Sequence, residues 1–491
     1  MKALLIYPEY PDTFWGFKHA LRFILKKANV PPLGLLTVAA LLPKDWILRL
    51  IDLNVKKLKE NDIAWADVAL ISAMDAQRPS VKRIVELCQK YQVKTVAGGP
   101  LFSANPQDFP DVDHLVLGEA EITLPQFLDD LGNGKARHIY ATDQWADLSR
   151  SPRPMWELAE VKKYSSMNLQ YSRGCPYNCN FCDISLLYGR VPRTKGTGQV
   201  LDEMEALHKI GWRGGVFIVD DNFVGNKARL KSEVLPQMVA WMDAHKHPFT
   251  FITQASIEMA DDDYLLSLMA RAGFDQVFVG IETPDENSLQ ECRKFQNKNR
   301  DMIASIKKIQ GYGIQVHAGF IVGFDSDPKN IFDTQIKFIQ QSGIATAMVS
   351  LLNVLPKTKL YWRLKDQDRL TKSFSGDNTD FNLNFIPKMG PDSLLAGYKK
   401  IVSTVYAPKN YYRRVRTFLR EYRPAKIQKP RMSFSRLTAF VSSIFVLGVW
   451  NKERFQYWGL VFWTLFKRPK LFPTAITLTI YGYHFRKVFD C

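Results

Sequence analysis

Cys175-Pro176-Tyr177-Asn178-Cys179-Asn180-Phe181-Cys182 gathers three of the chain's six cysteines into eight residues. Thiolates spaced x3 and x2 on one short loop can wrap a single compact soft-metal centre. A structural zinc site takes four ligands, and no other Cys or His lies within twenty residues on either side of this loop. Three protein ligands leave one position open. An open iron is what a chemically active four-iron, four-sulfur cluster requires, since a fully ligated cluster can only pass electrons. The competing reading is a zinc ion completed by a distant His.

The loop directly follows an apolar run, and such runs alternate with helical stretches in both directions. Strand candidates are Asn168 to Tyr171, Gly215 to Val219, Phe249 to Gln254, Gln276 to Ile281, Gln315 to Val322 and Ala347 to Val354. Helical stretches between them include Gly198 to Ile210, Leu230 to His245, Asp261 to Ala272 and Asn299 to Tyr312. Roughly six such repeats predict a full or partial parallel barrel. Upstream, Ala3 to Tyr7, Ile47 to Ile51, Val68 to Ser72, Thr95 to Ala97 and His114 to Leu117 alternate with helices such as Leu35 to Leu42 and Ser80 to Tyr91, which predicts a doubly wound parallel sheet. The fold class is α/β, divided as a first domain over 1–140, a polar linker over 141–163, the barrel over 164–365 and a helical carboxy-terminal region over 366–491.

Doubly wound sheets bind ligands beyond the carboxyl ends of their strands. Those ends carry Ser72-Ala73-Met74-Asp75, Gly98-Gly99-Pro100 and Gly118-Glu119-Ala120-Glu121. Glycines there let a ligand approach the backbone; ordinary turns are the alternative.

Composition narrows the partners. Among 491 residues, 46% are hydrophobic and 23% charged, which excludes disorder as the main state, and a mean hydropathy of −0.18 argues against a polytopic membrane protein. Six Cys are too few for a disulfide framework and point to a reducing, cytoplasmic compartment. Met1-Lys2 leads straight into Ala3 to Tyr7, a run too short for a secretory signal. The formal charge of +17 is concentrated at one end: Lys409 to Cys491 holds 17 Lys or Arg against 3 Asp or Glu, a net +14. Within that tail a basic stretch through Arg423, Lys426, Lys429 and Arg431 precedes apolar runs at Leu437 to Trp450, Phe455 to Phe466 and Leu471 to Ile480. Each is shorter than the roughly 18 to 20 residues that span a bilayer. Helices rich in Trp, Phe and Leu and bracketed by Lys and Arg have the composition of segments lying in a membrane interface; a helical bundle packed on the barrel is the alternative. No RNA-reading motif is visible, and apolar runs are a poor phosphate track, so nucleic acid is not expected.

The Cys-x3-Cys-x2-Cys loop at the end of the first strand of a six-fold series resembles the radical S-adenosylmethionine (radical SAM) superfamily. The resemblance implies that Cys175, Cys179 and Cys182 hold a 4Fe-4S cluster. It also implies that the open iron is chelated by SAM, which is cleaved reductively to a radical that abstracts hydrogen. Phe181 would pack near the adenine. Asp220 and Asp221 would face the SAM amine, and Gln254, Ser256 and Glu282 are candidates for its ribose and carboxylate. Gly319-Phe320-Ile321-Val322-Gly323 matches the family's Gly-x-Ile-x-Gly adenine strand, giving Gly319, Ile321 and Gly323. For any single polar residue an ordinary helix cap is the alternative.

The amino-terminal domain is similar to the cobalamin-binding domain of the cobalamin-dependent radical SAM class. That similarity implies a cobalamin site from Ser72, Ala73, Asp75, Gln77, Gly98, Gly99, Gly118, Glu119 and Glu121. No Asp-x-His-x-x-Gly occurs, so no His is placed to ligate cobalt from below. Residues 280–297, the Asp75-Ala76-Gln77-Arg78 loop and the Pro473 to Lys487 region look like a subgroup that includes the hopanoid methylases. What this implies is methylation of an unactivated carbon on an apolar, membrane-derived small molecule, with an electron donor such as a flavodoxin or ferredoxin, on the inner face of a membrane. No general acid or base is required, and none is assigned. Two other functions remain open: an oxidative cyclase acting on a tetrapyrrole, and an iron-sulfur membrane scaffold without catalysis.

Overall fold

The computed structural model describes residues 1–371, 376–377, 379, 381–424 and 434–490. Lys426, Lys429 and Arg431 of the basic stretch, and Cys491, lie outside the described residues.

Six parallel strands form the first sheet: β1 (Lys2–Tyr7), β2 (Ile47–Asp52), β3 (Val68–Ser72), β4 (Lys94–Gly98), β5 (His114–Val116) and β6 (Ile139–Tyr140), in the order β2-β1-β3-β4-β5-β6. The order reverses between β1 and β3, so the carboxyl ends at that side open a crevice. Strands in such a sheet are covered on both faces and read as continuous apolar runs. Ala3, Leu4, Leu5 and Ile6 are accordingly all buried. The short pair Ile139–Tyr140 adds an edge strand beyond the five expected runs.

The second sheet is also parallel and six-stranded. Its members are β7 (Met167–Leu169), β10 (Gly214–Ile218), β11 (Phe249–Gln254), β12 (Phe274–Glu282), β13 (Gln315–Val322) and β14 (Ala347–Leu351), in the order β14-β13-β12-β11-β10-β7. Between β7 and β10, the two-residue strands β8 (Ser172–Arg173) and β9 (Arg193–Thr194) pair antiparallel and bracket the cysteine loop. β7 and β14 stay unpaired with each other, which makes the barrel partial. The expected Leu230 to His245 helix is two segments, a wide-turned Leu230–Val234 and then Leu235–Ala244, with Pro236 at the start of the second. Proline lacks the N–H that a continuous helix would need there.

Between the sheets, the segment 141–163 is built from short helical turns at Leu148–Arg150, Trp156–Leu158 and Val161–Lys163, and Trp156 is fully buried. Tyr164 Oη donates to Asp52 Oδ2 at 2.9 Å and Asn168 Nδ2 to the Pro31 carbonyl at 2.8 Å, which ties the barrel entrance to the first sheet.

Helices Pro391–Tyr406, Pro408–Glu421, Arg454–Lys467 and Phe472–Val488 pack as a layer against the barrel and the amino-terminal turn. Gly482 lies against the Tyr411 ring, where any side chain would collide at 2.3 Å, and Tyr411 Oη donates to the Leu478 carbonyl at 2.5 Å. The tail's charge is therefore not all at the surface. Arg414 is fully buried with Nη1 on the Val405 carbonyl at 2.8 Å, and Arg486 pairs with buried Glu453. No helix among the described residues is long and apolar enough to cross a membrane.

Candidate active site

The cysteine loop leaves the carboxyl end of β7 through a turn that only glycine accommodates. Gly174 has φ +96°, and a Cβ there would lie within 2.9 to 3.1 Å of the carbonyls of Tyr188, Val191 and Gly189. Cys175 N donates to the Gly189 carbonyl at 3.2 Å, which folds the loop back onto itself. At its far end Asn180 N donates to the Cys292 carbonyl at 3.0 Å and Asn180 Nδ2 to the Glu291 carbonyl at 2.6 Å. The loop is thus pinned at both ends.

Asp220 provides the strongest pin. It is fully buried after β10, and its carboxylate accepts from Tyr171 N and Ser172 N, both at 2.8 Å, and from Ser172 Oγ at 2.6 Å. Burial pushes its carboxyl up to about 7 against those three donors. Asp221 accepts from Gly174 N at 3.2 Å and is raised to about 6 by burial. Both aspartates, expected to face a ligand amine, point back into the strand that carries the cluster loop.

Other expected residues converge on the same mouth. Phe181 and Ile321 both pack against the small buried cluster around Phe324 and Cys292, and the Phe181 ring centre lies 6.2 Å from that of Phe324 just past Gly323. Gly319 faces the Phe278 ring, which a Cβ would meet at 2.9 Å. Ser256 N is held by Asn222 Oδ1 at 3.0 Å, while Asn222 Nδ2 is buried with no hydrogen-bond partner. Gln254 sits half-buried at the end of β11. Glu282 closes a bulge between β12 and β13 at φ +65° and pairs with Lys294 Nζ at 2.7 Å. In the sequence Lys294 stands only as part of the 280–297 stretch, and Asn222 only as a neighbour of Asp220 and Asp221 in the segment expected to face the SAM amine; neither is assigned a role of its own there. The Lys294 charge acts on all three thiols, offsetting the upward push of burial on Cys175, Cys179 and Cys182.

On the first sheet, the strand-end loops leave bare backbone. A Cβ on Gly98 would sit 2.6 Å from the Val116 carbonyl, and one on Gly99, at φ +92°, would sit 2.7 Å from Ser72 Oγ. Gly118, at φ +77°, donates its N–H to Ser103 Oγ at 3.0 Å, and Ala73 accepts from Leu101 N at 3.1 Å. Gln77 is wholly buried and braces its own turn, accepting from Met74 N at 2.9 Å and donating to the Pro8 carbonyl at 2.5 Å. Asp75 pairs with Arg78 at 3.2 Å, and its charge adds to the burial that pushes Asp183, beside Cys182, upward. The two loop systems therefore face each other.

Glu119 and Glu121 carry the contact between them. Arg173, two residues before Cys175, reaches Glu119 Oε1 at 2.9 Å and Glu121 Oε1 at 2.8 Å, and Arg193 reaches Glu119 Oε2 at 2.7 Å. Ala146 N and Ser151 Oγ supply further donors at 2.6 and 2.8 Å. Both carboxylates, expected on the cobalamin, are engaged by arginines of the barrel. A charged residue in the short strand before the first Cys is the signal that could have exposed Arg173.

The residues present suit the cofactors this fold carries. Three thiols on one pinned loop beside a lysine form a soft-metal donor set with an open position. The unpaired Asn222 amide at the strand ends suits a polar ligand, and glycine at 98 and 99 lets that loop close on the Val116 carbonyl and Ser72 Oγ, so it carries no side chain over the carboxyl end of β4, where a large ligand of such a sheet lies.

Comparison places this arrangement. A radical SAM superfamily model matches residues 169–339, a B12 binding domain model matches 26–128, and a domain of unknown function (DUF4070) matches 358–491. The chain belongs to the cobalamin-dependent radical SAM family; its cofactors are a 4Fe-4S cluster, S-adenosylmethionine and cobalamin, and it is a methyltransferase rather than a scaffold. It is 39% identical, over 99% of its length and 91% of the relative's, to an uncharacterized methyltransferase of Synechocystis sp.. It is 34% identical, over 84% of its length and 78% of the relative's, to the hopanoid C-2 methylase of Rhodopseudomonas palustris. The solved cobalamin-dependent SAM radical enzyme OxsB, with aqua-cobalamin and S-adenosylmethionine bound, shares the fold at a TM-score of 0.64 and 14% identity, covering 100% of this chain and 83% of that one.

Proposed function

We propose that the chain methylates an unactivated carbon of a flat, apolar polycyclic lipid of the hopanoid type, taken from the cytoplasmic face of an anionic membrane. The observation that carries this reading is an apolar ladder on the tail. Leu437, Val441, Phe445 and Val449 recur every four residues along one helical run, each 43% to 51% exposed, with Trp450 at 75%. The next helix adds Phe455, Phe462 and Phe466, the last 81% exposed. Exposed Lys452, Arg454, Lys467 and Lys470 flank these rings, as anionic headgroups require.

An apolar substrate also suits the barrel. Half-buried Phe217, Ile252 and Phe278 occupy alternate positions of β10, β11 and β12, opposite in sense to the residues packed under the helices. Trp15 stands 5.1 Å from Phe278 and is 43% exposed. Tyr481, on the tail helix Phe472–Val488, lies 6.5 Å from His317 of β13 and 4.9 Å from Phe17. This aromatic series links the tail to the barrel wall.

The bound cofactors supply a hydrogen abstractor and a methyl donor; the chain's part is to hold one substrate carbon against both. In this reading Cys175, Cys179 and Cys182 hold the cluster, and Phe181, Gln254, Ser256, Asn222, Gly319, Ile321 and Gly323 line the SAM site. Ser72, Ala73, Asp75, Gly98, Gly99 and Gly118 edge the cobalamin site. Gln77, Glu119, Glu121, Asp220 and Asp221 position those loops, Lys294 and Glu282 set the charge beside the cluster, and a flavodoxin or ferredoxin delivers the electron. A lipid profile of cells with and without the protein tests the substrate. The expected difference is one methyl group on a polycyclic lipid; an unchanged lipid profile with an altered tetrapyrrole profile contradicts it.

A further inference from the structure

On the outside of the barrel, away from the cysteine loop, three metal-ligating side chains meet. Glu205 and His208 stand three residues apart on the helix Thr197–Lys209, and His245 caps the neighbouring helix Leu235–Ala244. One ligand atom from each lies within 4.8 Å of the others. Glu-x-x-His at this spacing presents both groups on one helical face, an arrangement used for metals in helical bundles.

The hydrogen bonds around the cluster set its chemistry. His245 Nδ1 lies 2.8 Å from the Trp241 carbonyl, which can only accept, so Nδ1 carries the proton and the Nε2 lone pair turns toward Glu205 Oε2 at 3.3 Å. The Nε2 lone pair and the Glu205 carboxylate thus offer two acceptors to one point between the helices, as ligands of a shared cation do. Trp241 stacks on the His245 ring at 4.0 Å and 16°, and its Nε1 donates to Glu205 Oε2 at 3.3 Å, so both groups are oriented from behind. His208 meets His245 edge-on at 4.9 Å. Burial and then the Arg213 charge hold His208 below the usual imidazole range. Lys209, 3.7 Å from Glu205 Oε1 and 73% exposed, can swing into water.

We propose that Glu205, His208 and His245 form a second metal site, for zinc or a similar borderline divalent cation, that clamps the first two barrel helices together. Two imidazoles and a carboxylate are a zinc donor set, with water as the fourth ligand.

The test uses full-length, cluster-loaded protein equilibrated with zinc chloride and passed over a competing chelator. The expected result is one retained zinc per chain, with a zinc-edge absorption shell of nitrogen and oxygen at about 2.0 Å and a raised thermal midpoint. The double variant His208→Gln, His245→Gln, changed at half-exposed positions, should keep its iron and lose both the zinc and the shift. Three outcomes overturn the proposal: no zinc retained; equal zinc in the double variant; or a sulfur shell at about 2.3 Å, which puts the zinc on the cysteine loop.

Discussion

The Arg173 guanidinium grips the Glu121 carboxylate at two points, Nη2 to Oε1 at 2.8 Å and Nη1 to Oε2 at 3.0 Å, across the boundary between the two sheets. Paired fork-to-fork contacts fix orientation as well as distance. One partner lies two residues before the first cluster cysteine, and the other begins the helix after the Gly118 loop. The Glu119, Glu121, Arg173 and Arg193 network therefore sets the spacing between the strand-end loops of the first sheet and the cysteine loop.

Arg173→Met leaves two carboxylates buried without their main cation. The expected loss is about 3–5 kcal/mol of folding stability, read by urea unfolding, and Arg173→Lys recovers only part of it because an ammonium cannot match the fork.

Acid sensitivity follows from the same contact. Burial raises the Glu121 carboxyl, but the hydrogen bond and charge of Arg173 outweigh it and bring the group from 4.5 down to about 2. A depressed acid adds stability above its unfolded value, and that stability disappears as pH falls from roughly 4.5 toward 2. Glu121→Gln should lose this part of the pH dependence, which unfolding midpoints measured across that window will show.

Asp220→Ala strips three donors of their acceptor beneath the cluster loop. We expect iron per chain to fall and stability to drop by about 2–3 kcal/mol or more. Asp221→Asn, which disturbs one 3.2 Å contact, should retain far more iron. Equal iron contents in the two variants would remove Asp220 from its supporting role.

Lys294→Met removes a cation beside the thiolates and leaves Glu282 buried without it. Reduction adds negative charge to the cluster, so its potential should move negative, by about 60 mV for a tenfold change in the one-electron equilibrium. Redox titration followed by electron paramagnetic resonance measures the shift. An unmoved or more positive potential contradicts the assigned role.

The triple variant Phe445→Ser, Trp450→Ser, Phe466→Ser alters rings that are at least half exposed, so folding stability should stay within about 0.5 kcal/mol. Each ring buried in a bilayer contributes roughly 1.5–3 kcal/mol, so liposome co-flotation should be lost at concentrations where the parent binds fully. Unchanged flotation would count against the ladder as the docking face.

Local patterns made most of the architecture legible. Val68–Ser72 and Phe249–Gln254 fall at the very residues read from the sequence, because an apolar run between polar ends contains all the information a buried strand needs. The cysteine loop was legible for the same reason. Partners distant in the chain were not. Glu119 caps and Glu121 begins the helix that follows the strand-end loop, yet nothing in that segment says that Arg173, more than fifty residues on, takes their charge. Asp220 likewise looked like a ligand contact until folding brought Tyr171 and Ser172 against it. Tail charge was summed correctly, but Arg414 and Arg486 went inward because helix ends and Glu453 offered them buried acceptors.

The most direct test of the central claim is incubation of the anaerobic, cofactor-loaded protein with a reductant, S-adenosylmethionine carrying a labelled methyl group, and a bacterial membrane lipid extract. The account predicts labelled methyl in a polycyclic lipid, together with 5′-deoxyadenosine. Release of 5′-deoxyadenosine with no label in any lipid would contradict it.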